Sequence, residues 1–308
     1  MQTLLVSSEV IARYCPEIRF HSREKYLPCS PKQYLDNSDL YDDTSKLINH
    51  IDLLKTNTTG FTSKLKHKQL LYGNDNLTEV PLIVKSKQIM NSNDISKGYE
   101  INYMLYFPYN AGGVFNIGSH EGDWEHITVR LDNRFKLQGV YYGNHRSHEG
   151  VWVPYSKVPL NANGRIIAYC AKGSHGFWPS PGYHLRIFGF GNDYTNDKGI
   201  HWVPSVVDRI INVDPEGIVQ RIFPENIDQT NIDLLDPCDE SPDVVRDLDS
   251  WQLYLGDWGE IHSYRNNAWF TSSENIHSIN AIQRFFNIKP KPKSKSIKPK
   301  SFQRPKPV

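Results

Sequence analysis

The segment Gly118–Asp132, GSHEGDWEHITVRLD, places two acidic residues in line with a row of apolar ones. Its second half alternates like a β-strand, with Ile127 as the first of three apolar side chains on one face. Counting back by twos puts Asp123 and Glu125 on that same face. Side chains two apart on a strand lie roughly 6–7 Å apart, so two buried carboxylates meet desolvation and mutual repulsion. Three solutions stay open: one carboxyl is protonated, both lie at an open rim, or a cation binds between them.

A histidine upstream adds a third potential ligand. His120 lies three residues before Asp123, and Gly118 and Gly122 allow the loop to fold back. Histidine, aspartate and glutamate converging on one point are typical of a site for a hard or borderline divalent ion. The ligands are mostly oxygen and include no cysteine, which favours Mg²⁺ or Ca²⁺ over structural Zn²⁺. By strand parity His126 points to the opposite face and is predicted to take no part.

The same segment belongs to a longer block, YFPYNAGGVFNIGSHEGDWEHITVRL, which resembles the vacuolar protein sorting-associated protein 62 family. Three further blocks fit that family: ARYCPEIRFHSREKYLPCS, AKGSHGFWPSPG and LYLGDWG. Together they extend the resemblance over most of the chain from Ser8 to about Trp269. On these linked blocks the chain is identified as a member, although the family name alone implies no sorting role.

The block also resembles the heptapeptide region of the necrosis- and ethylene-inducing-peptide-like proteins. That resemblance implies a β-sandwich that binds one divalent cation and uses it to engage glycosylated sphingolipid head groups at membranes. It places Asn110, His120, Asp123 and Glu125 at the cation. Asn110 stands where that family has an aspartate, Gly122 stands where it has a histidine, and the interval from Asn110 to His120 is longer. The lost carboxylate should weaken the affinity for a hard cation or alter the choice of ion.

Other polar and aromatic residues are secondary candidates. His175, in AKGSHGFWPSPG, is either a loop histidine bound to a carbonyl or a further ligand of the Asp123 site. Its position at a strand end in both resembled patterns supports the second interpretation. His148 and Glu149, in NHRSHEGVW, are either polar residues of a hairpin loop or a ligand contact. Trp178 is either packing or a contact to a head group or the bilayer interface.

The elements that position these residues are predicted to be mainly β. Short alternating segments between turn-rich stretches favour an antiparallel β-sandwich with short helices and long loops. A helix is predicted over Ser7–Tyr14, with Ser8 as its cap, and Asp36–Thr78 is predicted to be an irregular insertion or a hairpin. The predicted strands are Glu79–Val84, Tyr99–Phe107, Glu125–Leu131, Lys136–Tyr142, Ile166–Ala171 and His184–Phe190.

The charge distribution separates a folded body from a basic tail. The chain has 308 residues and a formal net charge of +1. Lys289–Val308 holds eight Lys or Arg residues and no acid, so the remainder carries 27 basic and 34 acidic residues, or −7. We therefore predict one β-sandwich domain over 1–288, with terminal extensions packed on it, and a disordered Lys/Pro-rich tail over 289–308. The body carries no basic field, so specific nucleic-acid binding is not expected.

Cysteine usage and hydropathy bear on location. Cys15 and Cys29 are able to pair in an oxidising compartment, but the four scattered cysteines favour buried free thiols. The N-terminus lacks the pattern of a signal peptide, and no apolar run approaches the roughly 18 residues of a membrane span. We expect a soluble protein, either cytoplasmic or secreted by a non-classical route, with peripheral membrane contact left open.

Two functions follow from these observations. The first is a binding protein in which a divalent cation and nearby loops recognise a hydroxyl-rich or anionic, glycolipid-like head group at a membrane surface, as a toxin or effector does. The second is a metal-dependent hydrolase with a mononuclear site and Glu121, His148 or His175 as general base. The sequence shows no second metal cluster, which favours binding, and no catalytic residue is assigned.

Overall fold

The computed structural model describes residues 6–42, 44–48, 62–90, 95–111, 119–144, 150–185, 192–204, 210–213, 219–222 and 257–258. Within these ranges lie two short α-helices, α1 (Ser8–Tyr14) and α2 (Pro31–Asp36), and three 3₁₀ helices, Lys68–Tyr72, Leu77–Glu79 and Tyr155–Lys157. The strands are β1 (Glu17–Phe20), β2 (Ser38–Tyr41), β3 (Leu47–Ile48), β4 (Thr62–Leu65), β5 (Ile83–Met90), β6 (Ser96–Asn110), β7 (His120–Leu131), β8 (Leu137–Tyr142), β9 (Val151–Pro154), β10 (Ile167–Cys170), β11 (Phe177–Trp178), β12 (Gly182–His184), β13 (Asp193–Thr195), β14 (His201–Trp202), β15 (Ile210–Val213), β16 (Val219–Ile222) and β17 (Asp257–Trp258). The described chain is thus mainly β, as predicted.

The largest sheet carries the two carboxylates of the opening segment. Its seven strands follow the order β16-β15-β5-β6-β7-β8-β9. Neighbouring strands are antiparallel except β15 and β5, which run parallel. The pairing of β6 with β7 extends from Tyr99 opposite Leu131 to Asn110 opposite His120. The last residue of β6 and the first residue of β7 therefore meet at one end of the sheet.

A second sheet faces the first across the hydrophobic core. Its four strands follow the order β11-β10-β1-β14, with β1 and β10 parallel and the other pairs antiparallel. One cluster of buried side chains joins the two sheets, because it contains Ile127 and Val129 of β7 together with Phe20 of β1 and Cys170 of β10. The predicted β-sandwich is confirmed, with one parallel pair inside its smaller sheet.

A third sheet has the strand order β17-β4-β2-β3. Three of its strands, β2, β3 and β4, belong to the polar stretch Asp36–Thr78 that was predicted to be an insertion or hairpin, and β17 joins them from the C-terminal part of the chain. This sheet and α2 pack against the face of β6 and β7 that is turned away from the core. Tyr34 of α2 packs edge-on against Tyr106 of β6, with ring centroids 4.9 Å apart. Leu65 of β4 donates its backbone N–H to the carboxylate of Glu121 at 3.1 Å. These contacts explain why β6 is buried along both faces instead of alternating.

Several boundaries differ from the predicted ones. Ser7, not Ser8, caps α1 with its side-chain oxygen. The strand predicted from residue 79 begins only at Ile83, because Leu77–Glu79 forms a 3₁₀ helix. Of the predicted strand His184–Phe190, only the first two residues are described, and β12 ends at His184. β12 pairs with β13 as a separate two-stranded antiparallel sheet.

Three cysteines are described, and all are buried free thiols: Cys15, Cys29 and Cys170. Cys238 lies outside the described residues, as does the predicted tail 289–308. The domain division at residue 288 therefore stays a prediction. Within the described ranges, no helix has both the length and the apolar character to cross a membrane.

Candidate functional site

Loops from both sheets meet at one end of the sandwich. β1 and β10 are parallel, so the loops that follow them, 21–30 and 171–176, leave their sheet on the same side. The end of β6 lies there too, because Ala111 donates its N–H to the carbonyl of Gly173 at 2.7 Å. This meeting point holds most of the polar residues that the sequence singles out.

Asp123 is the centre of a polar cluster at this end. Its side chain is buried, and its Oδ2 accepts a hydrogen bond from Asn110 Nδ2 at 2.8 Å. His175 Nδ1 lies 3.2 Å from the same oxygen, and His120 Nε2 lies 3.6 Å from Oδ1. The structure therefore brings four of the five predicted cation ligands together around one carboxylate.

Gly122 explains how His120 and Asp123 come to the same side of β7. Residues three apart on a regular strand point to opposite faces. Gly122 has a φ of +73°, a left-handed conformation that glycine adopts without a Cβ penalty, and the pairing of β7 with β6 skips this residue. The register is the same on both sides of Gly122, so the left-handed backbone at Gly122, and not an inserted residue, interrupts the strand alternation. Beyond the interruption, Asp123 and Glu125 face the core as predicted.

His175 lies between two carboxylates. Its ring is 0% exposed and stacks on Phe107, with centroids 3.9 Å apart and an interplanar angle of 4°. Nδ1 faces Asp123, and Nε2 lies 3.8 Å from Oε1 of Glu24. The φ of His175 is +60°, which is uncommon for a residue with a side chain. Such backbone conformations persist where the surrounding contacts impose them.

Glu24 is the member of this cluster that the sequence analysis missed. Its buried carboxylate accepts backbone N–H groups from Gly173 at 2.6 Å and from Tyr26 at 2.9 Å. Through Gly173 it ties the loop after β1 to the loop after β10. The available signal was its place in the block ARYCPEIRFHSREKYLPCS, where neither residue type nor spacing distinguishes it from its charged neighbours.

His175 and its two carboxylates stabilise one another's charges. Burial works to lower the pKa of His175, but hydrogen bonds and charges from Asp123 and Glu24 raise it to about 9. Burial works to raise the pKa of Asp123, but His120 and His175 hold it below its usual value. The pKa of Glu24 is also lowered, against the effect of burial, mainly by His175. At neutral pH a positive imidazolium therefore lies between two negative carboxylates.

Glu125 lies on the same face as Asp123, two residues further along β7. It is buried and lies opposite Leu105 of β6. Burial first, and then the charges of Glu24, Glu125 and Asp123, raise the pKa of the Cys170 thiol. All three acids therefore lie within electrostatic range of one thiol. Since Asp123 and Glu125 are both buried, hydration at an open rim does not explain them.

The remaining polar candidates lie elsewhere. His148 and Glu149 fall within 145–149, outside the described residues. Glu121 accepts the N–H of Leu65, so this predicted base is engaged by β4, and His175 is engaged by two carboxylates. Burial of the His126 ring lowers its pKa to about 4, and its Nε2 has no hydrogen-bond partner among the described residues. Both described base candidates, Glu121 and His175, are therefore engaged by other groups of the protein.

Trp178 is held by neighbouring side chains. Its indole N–H donates to Asp193 Oδ2 at 3.0 Å, and its ring stacks on His184 with centroids 4.0 Å apart. Oδ1 of Asp193 accepts the hydroxyl of Ser174 at 2.6 Å. Trp178 therefore connects the β12–β13 sheet with the loop that carries His175, and its contacts are those of packing.

The described side chains do not fit a divalent cation in this arrangement. Among them, no group of three or more His, Cys, Asp or Glu residues could hold a metal ion. The surroundings of Asp123 show the physical reason: Asn110 turns its amide N–H towards the carboxylate, and His175 takes the same oxygen. Donors of this kind occupy the positions that hard-cation ligands need. The sequence predicts Mg²⁺ or Ca²⁺ at this site, and a titration with these ions tests that prediction.

Comparison with known families finds a match over the segment that carries Asn110, Asp123 and His175, but not over Glu24. The family model described as vacuolar protein sorting-associated protein 62 matches residues 109–201. Vacuolar protein sorting-associated protein 62 of Saccharomyces cerevisiae is 23% identical, over 80% of this chain and 58% of its own length. TDA6 of the same yeast is 23% identical, over 64% of this chain and 52% of its own length. The chain spans little more than half of either relative, and the predicted resemblance to this family is confirmed.

Solved structures of necrosis- and ethylene-inducing proteins are similar over part of the chain. Necrosis and Ethylene inducing Protein 2 from the causal agent of cocoa's witches' broom disease has 14% identity and a TM-score of 0.33, covering 70% of this chain and 78% of its own. NLPPya in complex with glucosamine has 12% identity and a TM-score of 0.37, covering 70% and 77%. Non-toxic HaNLP3 has 10% identity and a TM-score of 0.35, covering 70% and 78%. The predicted resemblance is found again, but at these TM-scores it carries no conclusion about function.

Proposed function

We propose that this protein binds a hydroxyl-rich or anionic head group of the glycolipid type. The premise is that residues 109–201 carry the pattern of the vacuolar protein sorting-associated protein 62 family. The binding surface is the end of the sandwich where the loops after β1 and β10 meet the ends of β6 and β7. The proposed function is recognition and includes no chemical step. Contact with a membrane surface follows if the head group belongs to a lipid.

The observation that carries this proposal is the buried charge cluster of Glu24, His175 and Asp123. Buried charges cost folding free energy unless they are paired, and well-packed apolar residues often serve stability as well or better. Charged clusters at strand ends, combined with an uncommon backbone conformation, are typical of functional sites. Carboxylate oxygens accept hydrogen bonds from hydroxyl groups, and imidazole N–H groups donate them. Because its members are buried and engaged with one another, the cluster fixes the loops at this end of the sandwich, and the hydroxyl-rich ligand meets the polar edge of those loops.

Tyrosines beside the cluster support the same kind of ligand. Tyr26, two residues after Glu24, stacks on Tyr72 with ring centroids 5.4 Å apart and an interplanar angle of 8°. It also contacts Tyr109, next to Asn110, with centroids 4.9 Å apart. Tyr72 is 52% exposed. Aromatic rings with a polar tip suit contacts in which one side is apolar and the other is wet, as with sugars and lipid head groups.

No step of this recognition is derived through a cation, because the described side chains do not fit one. Dependence on Mg²⁺ or Ca²⁺, which the sequence resemblance implies, is not part of this proposal and has its own test. Recognition as proposed requires only the protein's own donors and acceptors. It therefore persists when divalent ions are removed by chelation.

Calorimetric titration tests the proposal with a panel of glucosamine, mannosamine, N-acetylglucosamine and inositol, in the presence of a chelator. We expect saturable binding of at least one hydroxyl-rich probe by the wild-type chain. Asp123→Asn removes the central charge at nearly constant size and should abolish this binding. Asp75→Asn, at an exposed turn position, is the matched control and should bind as wild type does. Equal binding by the Asp123→Asn variant, or no binding across the panel, contradicts the proposal.

A further inference from the structure

Three segments meet next to the charge cluster, on the outer side of the loop after β1. Ser22 donates its N–H to Asn196 Oδ1 at 3.0 Å, which fixes this loop to the residue after β13. Lys172 donates its N–H to the carbonyl of Tyr194 at 3.0 Å, which fixes the loop after β10 to β13 itself. His21 completes the group, because its ring centroid lies 4.9 Å from that of Tyr194.

His21 carries a buried donor without an acceptor. The residue is 4% exposed, and its Nδ1 accepts the backbone N–H of Arg23 at 3.0 Å. The proton of the neutral ring is therefore on Nε2. Nε2 is buried and has no hydrogen-bond partner among the described residues. A buried donor in this state costs free energy that a bound acceptor recovers.

The surroundings of this donor are positively charged. Arg23 and Lys172 are exposed, and neither is in an ion pair with the residues that the structure describes. Burial first, then the charges of Lys172 and Arg23, lower the pKa of His21 against the opposing charge of Glu24. Both cations therefore act on the ring from close range.

We propose that His21 Nε2, Lys172 and Arg23 form a subsite for a phosphate or sulfate group. One N–H donor and two cations that have no ion-pair partner among the described residues match the charge and the acceptor oxygens of a tetrahedral oxyanion. Tyr194, which is 48% exposed, packs against the ring of His21, so an anion that reaches Nε2 displaces the Tyr194 ring. The subsite deepens the head-group binding proposed above and rests on it, because it takes the anionic part of a ligand whose hydroxyl groups face the carboxylates.

Titration of the full chain with inorganic phosphate tests this subsite, at constant ionic strength in chloride. The signals of the His21 ring in ¹H–¹⁵N spectra report on binding at Nε2, and we expect a saturable shift. Lys172→Gln and Arg23→Gln should each weaken phosphate binding about tenfold, which equals about 1.4 kcal/mol. Lys157→Gln is the matched control: it removes one exposed charge from a 3₁₀ helix that belongs to none of the three segments, and it should leave the affinity unchanged.

Two results would overturn the subsite. One is phosphate binding that leaves the His21 ring signals unmoved, and the other is an equal loss of affinity in Lys157→Gln and Lys172→Gln. His21→Phe keeps a ring against Tyr194 and removes the donor, so it should lose phosphate binding; if that variant melts early, the two exposed variants decide the question. Failure here leaves the binding of uncharged sugars intact, which separates it from failure of the head-group function.

Vesicles distinguish the two sources of the oxyanion. Phosphatidylcholine vesicles with and without phosphatidic acid are compared in sedimentation with the wild type and Lys172→Gln. Binding that needs both phosphatidic acid and Lys172 supports a subsite for a lipid phosphate. Phosphate binding without vesicle binding supports a subsite for a soluble phosphate ester.

Discussion

Gly173 donates its backbone N–H to Oε2 of Glu24 at 2.6 Å, and this bond joins the loops that follow the two parallel strands β1 and β10. The carbonyl of Gly173 accepts the N–H of Ala111 from the larger sheet at 2.7 Å. One residue therefore connects both sheets at the candidate site, through its N–H and its carbonyl. Gly173 has a φ of +72°, which a residue without a Cβ adopts readily. The site depends on a buried acid in one loop and a left-handed turn in the other.

Replacing Glu24 with glutamine should lower the free energy of unfolding by about 1–3 kcal/mol. Both carboxylate oxygens accept backbone N–H groups. The NH₂ group of glutamine would replace one of these acceptors, so that two buried donors would face each other. Urea unfolding measures the loss. Glu9→Gln, in the exposed first turn of α1, is the matched control and should cost less than about 1 kcal/mol. Equal midpoints for Glu24→Gln and wild type would show that the carboxylate is not needed at this junction.

Replacing His175 with asparagine should cost more, about 3–5 kcal/mol, because it leaves two buried carboxylates without their shared partner. Asparagine tolerates the left-handed conformation that His175 adopts, so backbone strain does not account for the loss. His201→Asn is the control: His201 is largely exposed and lies 3.6 Å from Glu17, an arrangement that contributes about 0–1 kcal/mol. Similar losses in the two variants would contradict the bridging role of His175.

The same bridge gives stability a defined pH dependence. The pKa of His175 is raised from 6.5 to about 9 in the folded state, so the folded state binds the proton more tightly than the unfolded state. The contribution is therefore fully present below about pH 6.5 and is lost as the pH rises through about 9. We expect the difference in unfolding free energy between wild type and His175→Asn to shrink from pH 6 to pH 10. A difference that stays constant or grows over this range would show that His175 is neutral.

The sequence predicts the parts of this site that depend on strand periodicity. The inward direction of Asp123 and Glu125 follows from an alternation of two, which packing against the core enforces. Glu24 was not predictable in this way, because its role comes from a parallel pairing between β1 and β10, which are about 150 residues apart in the chain. The cap of α1 was missed for a local reason, since Ser7 and Ser8 are equally good caps. The prediction of the site was limited by a strand pairing between distant parts of the chain, and the prediction of the helix start by two neighbouring serines of equal capping ability.

Gly122 provides a test of how the strand interruption builds the site. Gly122→Ala should cost about 1–2 kcal/mol, because its φ of +73° is unfavourable for a residue with a Cβ. It should also shift the ring signals of His120, which depends on the interruption to reach Asp123. Gly164→Ala is the control, because Gly164 has a φ of +75°, lies in another turn, and has no atom within 4 Å of the place that a Cβ would take. It should cost a similar free energy and leave the His120 signals unchanged, and a matching shift in both variants would contradict the local explanation.

A titration with divalent cations decides whether a metal ion or the imidazolium of His175 neutralises the inward carboxylates. The described geometry already supplies a partner, since His175 faces Asp123 with one nitrogen and Glu24 with the other. We therefore expect Mg²⁺ and Ca²⁺ to leave the Tm of the chelator-treated protein unchanged. A bound cation would instead raise stability by about 2.7 kcal/mol at a concentration one hundred times its Kd. If such a rise occurs and Asp123→Asn abolishes it, residues outside the described ranges must complete a cation site. The cation then replaces His175 as the partner of Asp123. If the rise persists in Asp123→Asn, the ion binds elsewhere and His175 remains the partner of the two carboxylates.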